Sequence, residues 1–405
     1  MTTAPDVLVI GGGIVGSATA YHLARRGASV TLLEANQLAF GATGRNLGYI
    51  WVHTRRPGPE LELVMHLRGE LEELQGIFDD DFGLRTEGGL LYVHTEEQLT
   101  TLREFVERRQ ADGVDIRLID GREARELAPI LPDSVVGASF CPLDAQMDST
   151  RYVQGFASAA ARAGARIREH TPVRSLERDG ARIARVVTDS ETFTPGRVVV
   201  AAGAWTAELL RQVDADVPIH AMRLQIVQTT STERRLGPVL YGTAAVKQYK
   251  IFRELPSFRA EHWANDAERR HGKALLEAVC QRDDGSYLLG CAMDYPGPVW
   301  EPDLAGVALI TEALPAIMPE LRSARFARAW AGVLPFTTDN LPIIDALPGF
   351  DDAYIAAGHV FGNGAGPTTG RLVAELVCGD EPLMDMSVFR ADRPGLTDPV
   401  DASVW

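Results

Sequence analysis

The chain has 405 residues, which at about 150 per domain predicts two or three structural units with interior enough for a cofactor. Hydrophobic residues make up 45% and charged residues 23%, ordinary globular usage that excludes extended disorder and fibrous repeats, while a formal net charge of −15 disfavours nucleic-acid and anionic-lipid partners. The start lacks the basic and apolar stretches of a secretory signal, no apolar run approaches the about 20 residues of a membrane span, and Cys141, Cys280, Cys291 and Cys378 show no C-x-x-C spacing, so a cytoplasmic protein with reduced, mostly buried cysteines and no metal site is expected.

The N-terminus runs Val7-Leu8-Val9-Ile10, a glycine turn, an Ala-rich stretch to Arg26, Gly27, and then Ser29 to Glu34. That order is strand, turn, helix, cap and strand, and the apolar first run suits a parallel strand buried on both faces. Residues 61–78 repeat apolar positions at helical spacing, with Leu67, Leu71, Leu74 and Phe78 on one side. Leu90 to Val93 follows as a strand and Glu96 to Gln110 as a helix. An Ala-rich helix from Arg151 to Arg162 leads to short strand-like runs at 171–177, 182–188 and 197–201, where the first domain resumes. Residues 214–325 mix short apolar runs with turns such as Asp283-Asp284-Gly285, which suits an antiparallel sheet with helices. Within them, Val246 to Arg253 has a strand-like alternation, and Tyr249 there is a candidate for the roof of an active site. After Trp330 the chain returns to the first domain through Tyr354 to Gly358 and a helix from Thr368 or Thr369 to Cys378, and the tail after Arg393 is expected to be loosely held. The expected architecture is α/β: a Rossmann-like domain (1–82, 147–213 and 326–391), an α+β domain on an antiparallel sheet (83–146 and 214–325), and a tail (392–405).

Gly11-Gly12-Gly13-Ile14-Val15-Gly16 sits in the context that makes a G-x-G-x-x-G fingerprint informative. Gly11 suits the tight turn, Gly13 the approach of a pyrophosphate, and Gly16 the packing of helix on strand; Glu34, followed by Ala35, ends the second strand where a carboxylate can accept from ribose hydroxyls. NAD and FAD share this unit, but a flavin ring needs later segments around it. Three candidates exist: the small-residue loop Gly41-Ala42-Thr43-Gly44-Arg45-Asn46-Leu47-Gly48; the strand ending Ala201-Ala202-Gly203-Ala204-Trp205; and Gly358-His359-Val360-Phe361-Gly362-Asn363-Gly364-Ala365-Gly366. Val173 joins them as a cofactor contact, and the third segment can offer backbone donors and a helix N-terminus to the negative charge of a reduced flavin.

These segments in this order, with Trp330-Ala331-Gly332, Pro335 to Asp339 and Phe389 to Arg393, resemble the FAD-dependent D-amino acid oxidase superfamily, in its sarcosine oxidase, glycine oxidase and proline-type dehydrogenase branch. The resemblance implies a two-domain FAD flavoprotein that takes a hydride from the carbon beside an amine or amino-acid nitrogen, giving an imine that hydrolyses. It departs from the branch where a substrate carboxylate is held: Leu334, Gly48 and Gly362 stand where relatives place cations. The replacement is sought among Arg55, Arg56, Arg223, Lys247, Lys250, Arg253 and Arg259, with Trp51 and His53 as further candidates to face the substrate. The same comparison places Leu288 at the position of an oxygen-activating lysine, which favours a dye or quinone acceptor. Gly332 and Arg45 stand where relatives attach flavin covalently, which implies noncovalent FAD. His359, Arg45 and Tyr249 are the candidates for catalysis. Two alternatives stay open, a 2-hydroxy-acid oxidoreductase, which requires a base such as His359, and a flavoprotein subunit of an electron-transfer complex. Partners under these readings are a small amine or amino-acid substrate, an acceptor (oxygen, quinone or carrier protein), and identical or different subunits of an oligomer.

Overall fold

The computed structural model describes residues 4–400; Met1 to Thr3 and the last five residues, which belong to the expected tail, lie outside the described residues. Val7–Ile10 is apolar and buried throughout. It stands inside a six-stranded sheet ordered 343–346, 353–357, 197–200, 7–10, 30–33 and 166–168, in which every neighbouring pair is parallel except the first. A parallel sheet needs both faces covered. On one face lie helices Ile14–Arg25, Ser149–Arg162 and Gly362–Cys378, with Pro59–Phe78 packed against the last. On the other, a three-stranded antiparallel sheet (173–179, 182–188, 192–193) sets Leu176, Ile183, Val186 and Phe193 against Leu8, Ile10, Leu33, Val198 and Val200.

The second sheet has eight strands ordered 326–336, 220–229, 287–294, 274–281, 239–241, 89–93, 137–141 and 117–120. Its neighbours are antiparallel except Val239–Tyr241 beside Gly89–Val93. A small ladder, Tyr49–Ile50 with Ala145–Gln146, lies beside it. No helix among the described residues is long and apolar enough to cross a membrane.

Four expectations are corrected. Phe326–Phe336 pairs along its length with His220–Thr229, so this strand belongs to the second sheet and not to the first. Val246 to Arg253 is not a strand: two one-turn helices, Thr243–Val246 and Lys250–Arg253, flank an extended Tyr249, and the buried Val246, Gln248, Tyr249, Ile251 and Phe252 do not alternate with exposed positions. The last helix begins at Gly362, ahead of Pro367. Its glycines seat it tightly: a Cβ on Gly370 would lie 2.5 Å from that of Ala18 and 2.6 Å from the backbone of Thr19. Finally, the tail is docked as far as it is described. Arg393 grips Asp339 through Nε and Nη2 (2.7 and 2.9 Å), Thr338 Oγ1 donates to the carbonyl of Leu396 (3.2 Å), and Leu396 is 2% exposed.

Candidate active site

The turn after the first strand is held by geometry that side chains would prevent. Gly11 has φ +115°, and a Cβ there would fall 2.3 Å from the carbonyl oxygen of Ala201; one on Gly16 would fall 1.9 Å from that of Gly11. The helix that follows starts at Gly13 with no side-chain cap and no acid in its first turn, so its positive end is available to a phosphate. Glu34 closes the turn. Its Oε2 accepts from the Gly12 N–H (2.7 Å) and its Oε1 from that of Asn36 (2.8 Å).

A cavity of about 660 Å³ begins here and continues between the two sheets. Of the expected cofactor residues, Gly11, Gly13, Ile14, Val15, Glu34, Ala35, Ala42, Thr43, Asn46, Leu47, Val173, Ala202, Gly203, Trp205 and 359–364 line it. Gly16, Gly332 and Gly358 do not, because they serve close packing: a Cβ on Gly332 would meet the Arg45 backbone at 2.9 Å, and one on Gly358 would meet Thr337 at 2.8 Å. Arg45 also stays outside the lining. Its Nε donates to the Phe40 carbonyl (2.8 Å), and its guanidinium stacks on the Phe40 ring at 4.4 Å.

At the far end the helix Gly362–Cys378, likewise without a side-chain cap or an acid in its first turn, starts on the cavity wall. Asn363 Nδ2 donates to Asn46 Oδ1 (3.0 Å) and Ser149 Oγ (3.1 Å), which ties this helix to the 42–48 loop. His359 lines the cavity, but it is 5% exposed with Nε2 2.9 Å from Thr369 Oγ1. Burial pushes its pKa down to about 3, so the imidazole is neutral and a feeble base.

The cation sought in the sequence is Arg55. Two arginines line the cavity, and Arg174 is exposed and paired with Asp189 (2.7 Å). Arg55 is 7% exposed, has no carboxylate within ion-pair distance among the described residues, and leaves Nε without a partner. Its guanidinium stacks on Phe361 (4.6 Å) and approaches Tyr249 (6.0 Å), and its one hydrogen bond is a long 3.4 Å to Thr54 Oγ1. The other candidates are engaged elsewhere: Arg56 with Glu60, Arg223 with Asp294 and Asp303, Lys247 with Glu268, Arg253 with the Lys247 carbonyl, and Arg259 with the carbonyls of Pro256 and Phe258; Lys250 is exposed.

Around Arg55 stand Trp51, Tyr49, Tyr241 and Tyr249, all buried and lining the cavity, with Trp51 and Tyr241 rings 4.3 Å apart edge to face. Burial raises the Tyr249 hydroxyl pKa despite the nearby Arg55 and its hydrogen bonds with Tyr241 and Thr54, so the phenol keeps its proton. Tyr49, Tyr241, Leu276 and Cys291 are cavity residues that the sequence reading missed; each sits in a strand whose local pattern says only that it is buried. Two expectations fail. His53 does not face the cavity but lies behind Trp51, fully buried. Leu288 is buried between Gln228 and Cys280 in the sheet and is not among the cavity residues, whereas Cys291 of the same strand is.

A glycine turn leading into a helix N-terminus, a carboxylate at the end of the second strand and a second helix end across a long cavity make the arrangement of a dinucleotide-binding site. The family described as DAO, FAD dependent oxidoreductase, matches residues 6–378, and the chain belongs to it. It is 26% identical to the glycine oxidase of Bacillus licheniformis over 398 residues, 96% of this chain and 97% of that protein. It is also 26% identical over 399 residues to the sarcosine oxidase subunit beta of Rhizobium meliloti, covering 96% of this chain and 88% of that one. The crystal structure of glycine oxidase from Geobacillus kaustophilus superposes with a TM-score of 0.83 at 24% identity, over 96% of this chain and 99% of that one. FAD is the cofactor of the family, and the cavity described above fits it.

Proposed function

We propose that the protein oxidises the C–N bond of an amino carboxylate, an N-alkyl or cyclic amino acid, with noncovalent FAD. The observation behind this is Arg55, a buried guanidinium on the cavity wall without a counter-ion among the described residues. A desolvated cation is costly unless an anion joins it, and the guanidinium fork matches a carboxylate. Bound FAD supplies the two-electron acceptor for the hydride that leaves the carbon beside nitrogen. Arg55 binds the carboxylate, Tyr249 donates a second hydrogen bond, and Trp51, Tyr241 and Leu334 exclude water from the reacting carbon. The helix starting at Gly362 places its positive end where negative charge develops. The imine then leaves and hydrolyses in water. In the same reading the cofactor unit is 1–82, 147–213 and 337–391, and the substrate unit 83–146 and 214–336.

The 2-hydroxy-acid alternative is weaker, because its base would be the neutral, depressed His359. No lysine is among the cavity residues, which favours a quinone or dye over oxygen as acceptor; rapid peroxide formation on admitting air to the substrate-reduced enzyme would overturn that. The likeness to a sarcosine oxidase subunit supports a second arrangement, a subunit of a larger complex, checked by the mass of the native protein and its copurifying partners. The substrate proposal is tested by anaerobic bleaching of the flavin with N-alkyl amino acids, cyclic imino acids, polyamines and hydroxy acids. Arg55→Met should raise KM for the reacting amino acid about tenfold to a hundredfold, the worth of a charged hydrogen bond. Bleaching by polyamines alone, or an unmoved KM, would sink the proposal.

A further inference from the structure

Behind the cavity wall lies a second constellation that takes no direct part in this chemistry. His53 Nδ1 is 3.0 Å from Asp144 Oδ2 and its Nε2 is 2.6 Å from Ser139 Oγ, with all three side chains fully buried. A carboxylate only accepts here, so Nδ1 holds a proton, and Nε2 meets the serine hydroxyl. The arrangement is that of a serine nucleophile with its base and acid, yet no substrate can reach it: the imidazole is stacked between Trp51 (4.6 Å, 5°) and Phe105 (6.0 Å, 5°). Cys141 completes a group of three possible metal ligands, but His53 and Asp144 already spend their ring and carboxylate atoms on hydrogen bonds.

What the constellation holds is backbone. Asp144 Oδ1 accepts from the N–H groups of Val52 (2.6 Å) and His53 (3.1 Å), and Arg109 Nε donates to the His53 carbonyl (3.2 Å). Trp51 Nε1 donates to Thr54 Oγ1 (3.0 Å), the same oxygen that meets Arg55 at 3.4 Å, and the Arg55 N–H closes a turn onto the Val52 carbonyl (3.0 Å). The fit is close, since a Cβ on Gly89 would strike both Asp144 Oδ2 (2.3 Å) and the Trp51 ring (2.6 Å). Beyond these bonds, among the described residues, ring stacking alone orients the Arg55 guanidinium.

We propose that Ser139, His53 and Asp144 are positioning residues, which clamp the segment from Trp51 to Arg55 so that the guanidinium meets the substrate carboxylate in one orientation. This rests on the reading of Arg55 given above. The clamp ties carboxylate recognition to the strand Gly137–Cys141 of the second sheet and to the helix Glu96–Ala111 that carries Arg109, neither of which supplies a residue to the cavity lining.

The test is a double-mutant cycle on the FAD-loaded enzyme. Ser139→Ala and His53→Phe are made with Arg55 intact and in the Arg55→Met background. Acetate and benzoate binding is followed by the visible absorbance of the flavin, and N-methylglycine turnover is followed with a dye acceptor. With Arg55 intact, each substitution should raise Kd and KM about threefold to thirtyfold with kcat held within about twofold; in the Arg55→Met background the further change should fall below about twofold. An equal rise in both backgrounds, no rise in either, or a fall in kcat with KM unmoved overturns the positioning role alone. Unchanged Kd and KM on Arg55→Met, or no response of the unsubstituted enzyme to any of the three probes, overturns the Arg55 reading and this proposal with it. Should His53→Phe fail to fold, Ser139→Ala, which deletes a single hydroxyl, decides.

Discussion

Glu34 shows how much one side chain can settle. Its two oxygens are already fixed by the N–H groups of Gly12 and Asn36, so in the proposed role as ribose acceptor the carboxylate needs no further ordering. Glu34→Lys should weaken FAD binding by about 1–3 kcal/mol through lost charged hydrogen bonds, measured by equilibrium release of flavin fluorescence; unchanged affinity would mean that the ribose lies elsewhere. His359 makes a prediction in pH. Its folded pKa of about 3 lies below the unfolded value near 6.5, so the unfolded chain binds the proton first. The stability this brings is fully present above about pH 6.5 and is lost as pH falls through about 3, at up to about 1.4 kcal/mol per pH unit. His359→Asn should therefore flatten the decline of Tm between about pH 6 and about pH 4, and a decline as steep as before would refute the assignment. The fingerprint that singles out Glu34 lies within one short stretch of chain, its bond to the Gly12 N–H spanning 22 positions. Arg55 was not singled out from the other cations, since what distinguishes it, burial beside Phe361 and Tyr249 without a carboxylate, arises only when segments some 200 to 300 positions apart converge.

Among the elements, two of the helices that carry glycine in their interiors make a contrast. In Gly362–Cys378 a Cβ at Gly370 would strike Ala18 and the Thr19 backbone; overpacking of about 1–3 kcal/mol outweighs the up to about 1 kcal/mol of helix propensity gained, so Gly370→Ala should lower Tm. In Pro59–Phe78, Gly76 is exposed with nothing within 4 Å of a Cβ, and Gly76→Ala should stabilise the fold by about 0.5–1 kcal/mol. Urea titration of both variants checks the pair, and equal signs would contradict the packing described. The same glycines explain why the start of the last helix was misjudged. Gly362, Gly364, Gly366 and Pro367 are turn formers by local propensity, whereas here packing on Ile14, Val64 and Ala18 rewards a helix without side chains. Strands of the first sheet had no such conflict, because Val7–Ile10 and Arg197–Val200 are apolar at almost every position and are buried accordingly. In Val246 to Arg253 two single helical turns were mistaken for an alternating strand, a difference that eight residues can barely show.

For the whole molecule, the cavity draws its walls from both sheets, so the bound cofactor should act as a brace between them. Stripping FAD should lower Tm, and adding it back at about a thousandfold over Kd should restore about 4 kcal/mol; a Tm indifferent to FAD would place the binding energy elsewhere. The return of the chain to the first sheet near 197 and 353 was legible in its buried apolar runs, but the allegiance of Phe326–Phe336 was not, since a boundary drawn where composition changes cannot see strand pairing. The docked tail bears on how such a protein can be cut and joined. The family match ends at residue 378, yet Arg393 holds Asp339, and the Asp339 carbonyl receives Arg56 Nη2 (2.6 Å), one residue from Arg55. A chain trimmed at the family boundary would lose this strap, and the slack would reach the residue next to the carboxylate site. Shortening within 379–398 is therefore expected to raise KM before it abolishes folding.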